Sequence, residues 1–479
     1  MKDFSYITSS HPAYIENLYT EFKKDPESVD VDLRKFFEGF DFAVSSQNGN
    51  GNGKATAVAE KGTLSVSNLD KEFGVYQLIH AYRNKGHLVS KTNPIRERKD
   101  RNANLALSYF GLNDNDLQTQ FEAGKFAGVG KATLQTILDH LKKCYTESVG
   151  IEFSSLNDPE KIDWIINAVE KTMQEPVPLE QKRRILQKLN EGVMFEKFLQ
   201  TKYVGQKRFS LEGGENTISA LDAIINIAAE NEVQEVAIGM AHRGRLNILA
   251  NILGKTYEQI FTEFEGNAKV DFTMGSGDVK YHKGFSSDVE TANGKLVHLK
   301  LSPNPSHLEA VDPVVLGFVR SKADVVYESD YDKILPILIH GDSSLAGQGI
   351  IYEVLQMSGL KGFCTGGTLH FVINNQVGFT TDFDDARTSD YCTSVAATIK
   401  APVFHVNGDD AEMVVKVSQI AMLYRQEFNT DIFIDMVCYR RHGHNEGDDP
   451  KFTQPGLYAL IDQHPNPRET YIKWLSLHG

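Results

Sequence analysis

Two apolar segments in the second half of the chain are each followed by polar residues that could bind a divalent cation. Residues 334–340 are followed by Gly-Asp, with Asp342 carrying the carboxylate, and residues 369–373 are followed by Asn-Asn, with Asn375 second. If the segments are neighbouring parallel strands, about 4.8 Å apart, the Asp342 carboxylate and the Asn375 amide oxygen could converge on one cation. Hard oxygen ligands suit Mg²⁺, which usually keeps phosphate oxygens and water in its shell. The pattern therefore predicts a magnesium site that also holds a diphosphate.

Each of these residues also has a structural explanation when it is taken alone. An Asp after Gly at a strand end often caps a helix, and paired Asn residues often form turns. Asn375, however, lies 33 positions after Asp342, a separation that fits one crossover helix and the next strand. This two-ended pattern is similar to the thiamin diphosphate signature, which favours the functional interpretation.

Histidines, an arginine and a serine follow the ends of other apolar segments. A lone histidine is more often surface or core filler, but several at strand ends favour an anion-binding, proton-handling site, because His and Arg stabilise carboxylates and developing enolates. The residues are His242 and Arg243 after residues 236–239, His282 in the segment 277–282, Ser306 and His307 after residues 296–301, and His444 after residues 432–438.

A zinc site is the main alternative for the histidines. The spacing of His442 and His444 alone would permit one. The four cysteines are widely spaced and form no C-x-x-C pair, so they do not complete a zinc site. Nothing else in the sequence favours a soft, closed, tetrahedral site over the magnesium pair.

These residues must be positioned by the elements that precede them, and the sequence predicts a doubly wound parallel α/β sheet. Short apolar segments alternate with helical patterns after about residue 215, as in a sheet with crossover helices. Ligands of such sheets bind beyond the carboxyl ends of the strands, where the polar residues lie. The predicted strands are 236–239, 296–301, 334–340, 369–373, 403–406 and 432–438, and the predicted helices are 246–253, 308–321, 349–358 and 412–428.

The chain before the sheet is predicted to have three parts. In residues 1–44, Tyr14, Leu18 and Phe22 recur every four positions, as in a small amphipathic helix pair. Residues 45–66 are rich in Gly and Asn and are predicted to be a flexible linker. Because such a short tethered pair rarely folds alone, we expect it to dock on a partner protein. The third part, residues 67–205, is predicted to be a helical domain, and residues 206–479 form the α/β domain.

Composition excludes several classes of protein. The 479 residues are enough for two to four domains, and the net charge of −14 opposes binding to nucleic acid. No segment is apolar enough to span a membrane, and the first residues resemble neither a signal nor a transit peptide. We therefore expect a cytoplasmic protein of bacterial type.

Six segments resemble those of the E1 component of 2-oxoglutarate dehydrogenases, and they occur in that family's order. The resemblance covers the chain from near residue 1 to about residue 470. The segments are AYRNKGHL (81–88), HRGRLN (242–247), GDVKYH (277–282), NPSHLE (304–309), INNQVGFTT (373–381) and CYRRHGHNE (438–446).

The resemblance implies a thiamin diphosphate-binding fold and an enzyme of the tricarboxylic acid cycle, an oxidoreductase that decarboxylates 2-oxoglutarate and passes the succinyl unit to lipoyl groups of an E2 partner. Dihydrolipoyl succinyltransferase (E2), dihydrolipoyl dehydrogenase (E3) reached through E2, and a homodimer are the implied partners. The implied roles are Mg²⁺ binding by Asp342, Asn375 and the Val377 carbonyl; cofactor or substrate binding by Arg243, Ser306, Leu308, Ser343 and Ser344; and active-site histidines at His242, His282, His307 and His444.

Two features separate this chain from that pattern. The family usually has Gly or Ala where Ser343 stands, and we expect the small hydroxyl to be tolerated. Members are about twice as long, with a pyrimidine-binding second half, so we expect a fragment or half of a split enzyme. A 2-oxoadipate E1, whose substrate is one methylene longer, and a non-catalytic scaffold are the alternatives.

Overall fold

The computed structural model describes residues 21–29, 34, 37, 66–97, 101–266 and 278–478. Contacts divide the chain into two compact units, Met1–Leu64 and Ser65–Gly479. In the first unit, Phe22 and Phe37 are buried and their ring centroids lie 5.4 Å apart. Most of the predicted helix pair and nearly all of the predicted linker lie outside the described residues.

The second unit contains an eight-stranded sheet. The strands are β1 (Val149–Glu152), β2 (Glu235–Met240), β3 (Phe285–Glu290), β4 (Leu296–Leu301), β5 (Ile334–Gly341), β6 (Leu369–Asn374), β7 (Val403–Asn407) and β8 (Ile432–Val437). Their spatial order is β1-β7-β8-β6-β5-β2-β4-β3, with the six inner strands parallel and the edge strands β1 and β3 antiparallel to their neighbours. The predicted parallel α/β sheet is therefore confirmed, and its two antiparallel edges were not predicted.

Helices precede, connect and cover these strands. No helix of the described part of the chain combines the length and the apolar character that crossing a membrane requires. The helices are α1 (Val66–Lys85), α2 (Leu134–Tyr145), α3 (Pro159–Thr172), α4 (Leu179–Lys202), α5 (Asn216–Glu230), α6 (Arg245–Asn251), α7 (Tyr257–Phe264), α8 (Val311–Val326), α9 (Asp342–Gly347), α10 (Gly349–Met357), α11 (Phe383–Ala386), α12 (Ala411–Phe428), α13 (Pro455–Gln463) and α14 (Pro467–His478).

Successive residues of the inner strands point to opposite faces, and both faces are covered. On β5, Ile337 and Ile339 pack in the same core as α5 and α12, whereas Leu338 packs with α8. On β6, Phe371 belongs to the first core and Val372 packs with α9 and α10. In a strand that is buried on both faces, nearly every side chain contacts the core, which explains why these segments are continuous apolar runs in the sequence.

The region predicted to be a helical domain, residues 67–205, contains α1 to α4 but also contributes β1 to the sheet. Val149 and Ile151 of β1 are buried, and the strand pairs antiparallel with β7. The strand is four residues long and begins four residues after the end of α2, so its pattern merges with the helical signal around it.

A buried carboxyl group at the start of α5 gives a prediction about stability. Glu215 is 1% exposed, and burial raises its pKa from 4.5 to about 8. Folding therefore takes up a proton between these two values, and the contribution of Glu215 to stability falls as the pH rises. We expect Glu215→Gln to gain roughly 2 to 4 kcal/mol relative to the parent between pH 5 and 8 in urea denaturation. The exposed Glu230 at the other end of α5 provides the control: Glu230→Gln should leave the pH dependence unchanged. Parallel curves for Glu215→Gln and the parent would show that Glu215 is ionised in the folded chain.

Candidate active site

The predicted metal ligands follow two strands that are hydrogen-bonded to each other. β5 and β6 run parallel, with Gly341 opposite Ile373, so Asp342 and Asn375 leave the same edge of the sheet. Asp342 is 2% exposed, and its Oδ2 has no hydrogen-bond partner within the described residues. The Asn375 side chain is also buried, and its Oδ1 accepts a hydrogen bond from the Val377 amide at 3.3 Å. A buried carboxylate oxygen without a hydrogen-bond partner, at the sheet edge that Asn375 shares, fits a hard cation.

The loop that carries Asn375 and Val377 packs directly on the first turn of α9. A Cβ added to Gly378 would lie 2.0 Å from Ser343 Oγ, so this approach requires glycine. Gln376 has a φ of +68°, which lies in the left-handed region. Ser343 Oγ is buried without a partner in the described part of the chain, whereas Ser344 Oγ donates to the Glu309 carboxylate. Of the two predicted serines, Ser343 is therefore the one with a hydroxyl left for a ligand.

Two charged residues beside this site were not selected from the sequence. Arg387 Nη1 lies 3.6 Å from Asp342 Oδ2, and neither Nη1 nor Nε of Arg387 has a hydrogen-bond partner among the described residues. Burial raises the pKa of Asp342 to about 6, and the Arg387 charge opposes that rise. Asp435 accepts hydrogen bonds from Asn374 Nδ2 at 2.9 Å and from His405 Nδ1 at 2.7 Å, so it fixes the residue before Asn375.

Three of the four predicted histidines lie in one cluster, in which His242 and His444 contact the Phe209 ring and His282 contacts His242. The ring centroid of Phe209 lies 4.9 Å from that of His242 and 5.6 Å from that of His444. The His242 and His282 centroids are 5.0 Å apart. The structure thus brings together His242, His282 and His444, as the sequence analysis expected of an active site, and adds Phe209.

The environment of this cluster keeps two of its histidines neutral near pH 7. Burial lowers the pKa of His242 to about 4, and repulsion by His282 adds to the effect. Burial and the positive charge of Arg243 lower the pKa of His444 to about 4. His242 Nε2 is buried without a partner in the described residues. A neutral imidazole with a free ring nitrogen can donate or accept one hydrogen bond at that atom.

The predicted loop at residues 304–309 joins the cluster through Ser306. Ser306 Oγ lies 3.1 Å from His282 Nε2, and the other nitrogen of His282 lies 3.0 Å from Asp278 Oδ1. With a proton on both nitrogens the ring donates to Asp278 and, through Nε2, to Ser306 Oγ or to an anionic ligand; with Nε2 unprotonated it accepts from the serine. His307 and Leu308 are exposed on this loop, and their predicted roles stay predictions.

Arg243 donates hydrogen bonds to the backbone of two loops beside the cluster. Its Nη1 donates to the Ser210 carbonyl at 2.9 Å and its Nη2 to the His444 carbonyl at 2.8 Å. The Glu446 carboxylate accepts from the backbone amides of residues 208–210, which holds Phe209 in place at a φ of +52°. Arg243, predicted to bind cofactor or substrate, thus uses two of its N–H groups in hydrogen bonds to the protein backbone.

The alternative zinc site receives no support from the geometry. His442 Nε2 lies 2.7 Å from Glu212 Oε2, whereas the His444 ring packs on Phe209 and Phe379. Within the described residues, the trio of potential metal-ligating side chains that lies close together is Glu309, Asp312 and His340, which does not include either histidine.

A parallel α/β sheet whose inner strands end in a paired carboxylate and amide is typical of enzymes that bind a diphosphate through Mg²⁺. Residues 187–479 match the model of the family described as dehydrogenase E1 component, and residues 4–44 match that of the 2-oxoglutarate dehydrogenase N-terminus. The chain belongs to the dehydrogenase E1 component family, which confirms the resemblance stated above and supports the expected dependence on thiamin diphosphate.

Three curated relatives are similar to this chain over most or all of its length. The 2-oxoglutarate dehydrogenase E1 component of Azotobacter vinelandii is 42% identical over 100% of this chain and 52% of the relative. That of Coxiella burnetii is 41% identical over 98% of this chain and 51% of the relative. The multifunctional 2-oxoglutarate metabolism enzyme of Mycolicibacterium vanbaalenii is 48% identical over 86% of this chain and 34% of the relative. The chain thus spans about half or less of the length of these relatives.

Proposed function

We propose that this chain forms the thiamin diphosphate-binding part of an E1 component that oxidatively decarboxylates 2-oxoglutarate and transfers the succinyl unit to the lipoyl group of an E2 partner. The observation that carries the proposal is the buried Asp342 carboxylate, whose Oδ2 has no hydrogen-bond partner in the described residues, at the strand edge shared with Asn375. The names of the Azotobacter and Coxiella relatives support the choice of substrate. A scaffold without turnover would have no need of a buried carboxylate oxygen that lies 3.6 Å from Arg387 Nη1 but makes no hydrogen bond in the described residues.

We assign the part of the candidate site around Asp342, here called the metal end, to a magnesium ion held by three ligands. The Asp342 carboxylate, the Asn375 amide oxygen and the Val377 carbonyl would hold Mg²⁺, and Ser343 Oγ would donate to a diphosphate oxygen. When bound, thiamin diphosphate supplies the electron sink for the carbon–carbon bond that breaks on decarboxylation. The chain's own contribution is to exclude water from Asp342 and to fix the loop of residues 375–377 against α9.

We assign the cluster of His242, His282 and His444, here called the histidine end, to binding of the substrate. His242 offers a neutral ring nitrogen, and His282 Nε2 and Ser306 Oγ, 3.1 Å apart, can offer an N–H and a hydroxyl as donors. Such groups stabilise a carboxylate or a developing oxyanion better in a site that excludes water than in solution. The second carboxylate of a dicarboxylic 2-oxo acid is the group that needs them.

We expect His282→Ala in the complete protein to lower kcat/KM for 2-oxoglutarate by about tenfold or more, because a hydrogen bond to a charged group contributes roughly 1.5 to 3 kcal/mol. A monocarboxylic 2-oxo acid lacks the distal carboxylate and should lose much less. Steady-state kinetics on the two substrates measures the difference.

His298 on β4 is a matched control, because it also pairs with an aspartate, Asp288, at 2.8 Å but on the exposed face of an edge hairpin. His298→Ala should change neither substrate's kcat/KM. Equal losses on both substrates in His282→Ala would remove His282 from recognition of the distal carboxylate.

The remaining partners follow from the proposed reaction. E2 would be a dihydrolipoyl succinyltransferase, and dihydrolipoyl dehydrogenase would act through it. Residues 1–44, which match the N-terminal family model, are proposed to dock on E2. A homodimer is the proposed state of the complete protein.

A further inference from the structure

Glu309 lies at the end of the loop that carries Ser306, and its side chain is buried between two parts of the candidate site. The residue is 4% exposed. Its Oε2 lies 2.8 Å from Nδ1 of His340 on β5, and its Oε1 accepts a hydrogen bond from Ser344 Oγ on α9. One carboxylate therefore joins the substrate loop to the strand and helix on either side of Asp342.

The backbone around Glu309 shows that this contact is imposed by the surroundings. Glu309 has a φ of +65°, a conformation that costs a residue with a side chain about 1 kcal/mol or more unless other contacts hold it. The loop is also fixed at its other end, because the backbone N–H of the buried Asn304 donates a hydrogen bond to the His282 carbonyl at 3.1 Å. Residues 305–308 between these two points are exposed. The loop is thus held at both ends and open in the middle, where a ligand would contact it.

The partners of Glu309 are themselves fixed. His340 Nε2 lies 3.0 Å from His370 Nδ1, and His370 Nε2 lies 3.4 Å from Asp431 Oδ2. His340, His370 and Asp431 are buried, so the His340 ring has no freedom to turn away from Glu309. Glu309 therefore binds to a rigid part of β5.

A metal ion at Glu309, Asp312 and His340 is the other explanation of this arrangement, since their ligand atoms lie within 4.8 Å of one another. Both carboxylate oxygens of Glu309 and both ring nitrogens of His340 already take part in hydrogen bonds. A cation would have to break these bonds in a site closed to solvent, so the hydrogen-bonded clamp is favoured.

We infer that Glu309 is a positioning residue that fixes the loop of residues 304–308 against the Asp342–Ser344 turn and so sets the distance between the substrate donors and the metal end. The inference about ligands rests on the proposed function, whereas the clamp itself concerns only this chain. Removing the Glu309 side chain should make both the loop of residues 304–308 and the Asp342–Ser344 turn more mobile, because the two carboxylate oxygens of Glu309 connect them.

Three variants of the complete protein test the clamp: Glu309→Ala removes both contacts, Glu309→Asp retains the charge but is one methylene too short to reach both partners, and Glu309→Gln retains the length and an acceptor. Glu353→Ala, an exposed glutamate on the neighbouring α10, is the control. Hydrogen–deuterium exchange of residues 302–310 and 341–347 is measured without ligands. We expect at least about tenfold faster exchange in both segments for Ala and in one or both for Asp, with Gln and the control close to the parent.

Kinetics separate positioning from folding. In Glu309→Ala we expect KM for 2-oxoglutarate to rise by about tenfold, with kcat reduced less, and Glu309→Gln to restore most of it. If Glu309→Ala does not fold, the Asp variant decides by the same measurements. Unchanged exchange in the Ala and Asp variants, or a Gln variant as impaired as Ala, overturns the clamp. If exchange changes as expected but even the parent does not turn over 2-oxoglutarate, the clamp stands and the proposed function fails.

Discussion

Replacing Asp342 by Ala is expected to lower the affinity of the complete protein for thiamin diphosphate in Mg²⁺ buffer by at least about 100-fold while leaving the fold intact. The substitution would remove the proposed charged metal ligand, and binding of Mg²⁺ and of the diphosphate that accompanies it would weaken as a result. The substitution also takes away the carboxylate 3.6 Å from the buried Arg387 Nη1, so we expect some loss of stability, offset in part because burial already disfavours the charged form of Asp342. Titration calorimetry gives the affinity, and circular dichroism checks the fold.

Asp342→Asn separates charge from shape in the same experiment. It retains an oxygen of similar position but loses the charge, so we expect an affinity between those of the parent and Asp342→Ala. The exposed Asp385 on α11 is the control, and Asp385→Ala should bind as the parent does. Parental affinity in Asp342→Ala would remove Asp342 from the metal site and the proposed function with it.

Deleting residues 1–44 is expected to abolish succinyl-CoA formation by the reconstituted complex while decarboxylation with an artificial electron acceptor continues. The described core of the second unit begins after this segment, and the candidate site lies wholly in that unit. If residues 45–66 form the predicted linker, a random coil of about 20 residues would reach roughly 25 Å, enough to present the segment to a separate protein. Losing one of two linked binding contacts lowers the local concentration of the lipoyl substrate.

A shorter deletion tests whether the segment or its tether is responsible. Removing residues 48–57 shortens the Gly/Asn-rich segment and retains residues 1–44, so overall activity should fall much less. If the protein lacking residues 1–44 still co-sediments with E2 and supports full overall activity, the segment belongs to the E1 fold instead.

The inner strands of the sheet could be predicted because burial on both faces leaves a simple signal. The bounds of β5 and β6, which are buried on both faces, differ from the predicted segments by one residue at the carboxyl end; those of β4 match although only one of its faces is fully buried. The edge strands were missed for a physical reason: β3 reads Phe-Ser-Ser-Asp-Val-Glu and is half exposed, so it lacks the apolar run that identified its neighbours. An edge strand such as β3 needs only one buried face, so its sequence contains fewer apolar residues and is harder to recognise as a strand.

The shared sheet edge of Asp342 and Asn375 could be predicted from strand ends, whereas the residues around them could not. Asp342 and Asn375 follow adjacent strands, and that placement needs only the register of the sheet. Arg387 reaches Asp342 from a loop of irregular structure, and its sequence context, Asp-Asp-Ala-Arg, is that of an ordinary surface segment. Glu309 stood within a recognised motif, but its role depends on the contacts of both oxygens, which spacing does not reveal. Charge pairs made across long separations are fixed by the fold and leave no local pattern.

The close approach of Gly378 to Ser343 makes these two positions evolutionarily dependent on each other. They share one small volume, which the serine hydroxyl fills, so a chain with serine at 343 is restricted to glycine at 378. A relative with glycine at 343 has that volume free and can accept alanine at 378. The two substitutions should therefore be harmful or tolerated according to the background in which they arise, and Ser343→Gly should rescue Gly378→Ala. We therefore expect alanine at 378 to be accepted only after serine at 343 has been replaced by glycine, because the available space fixes the order of the two changes.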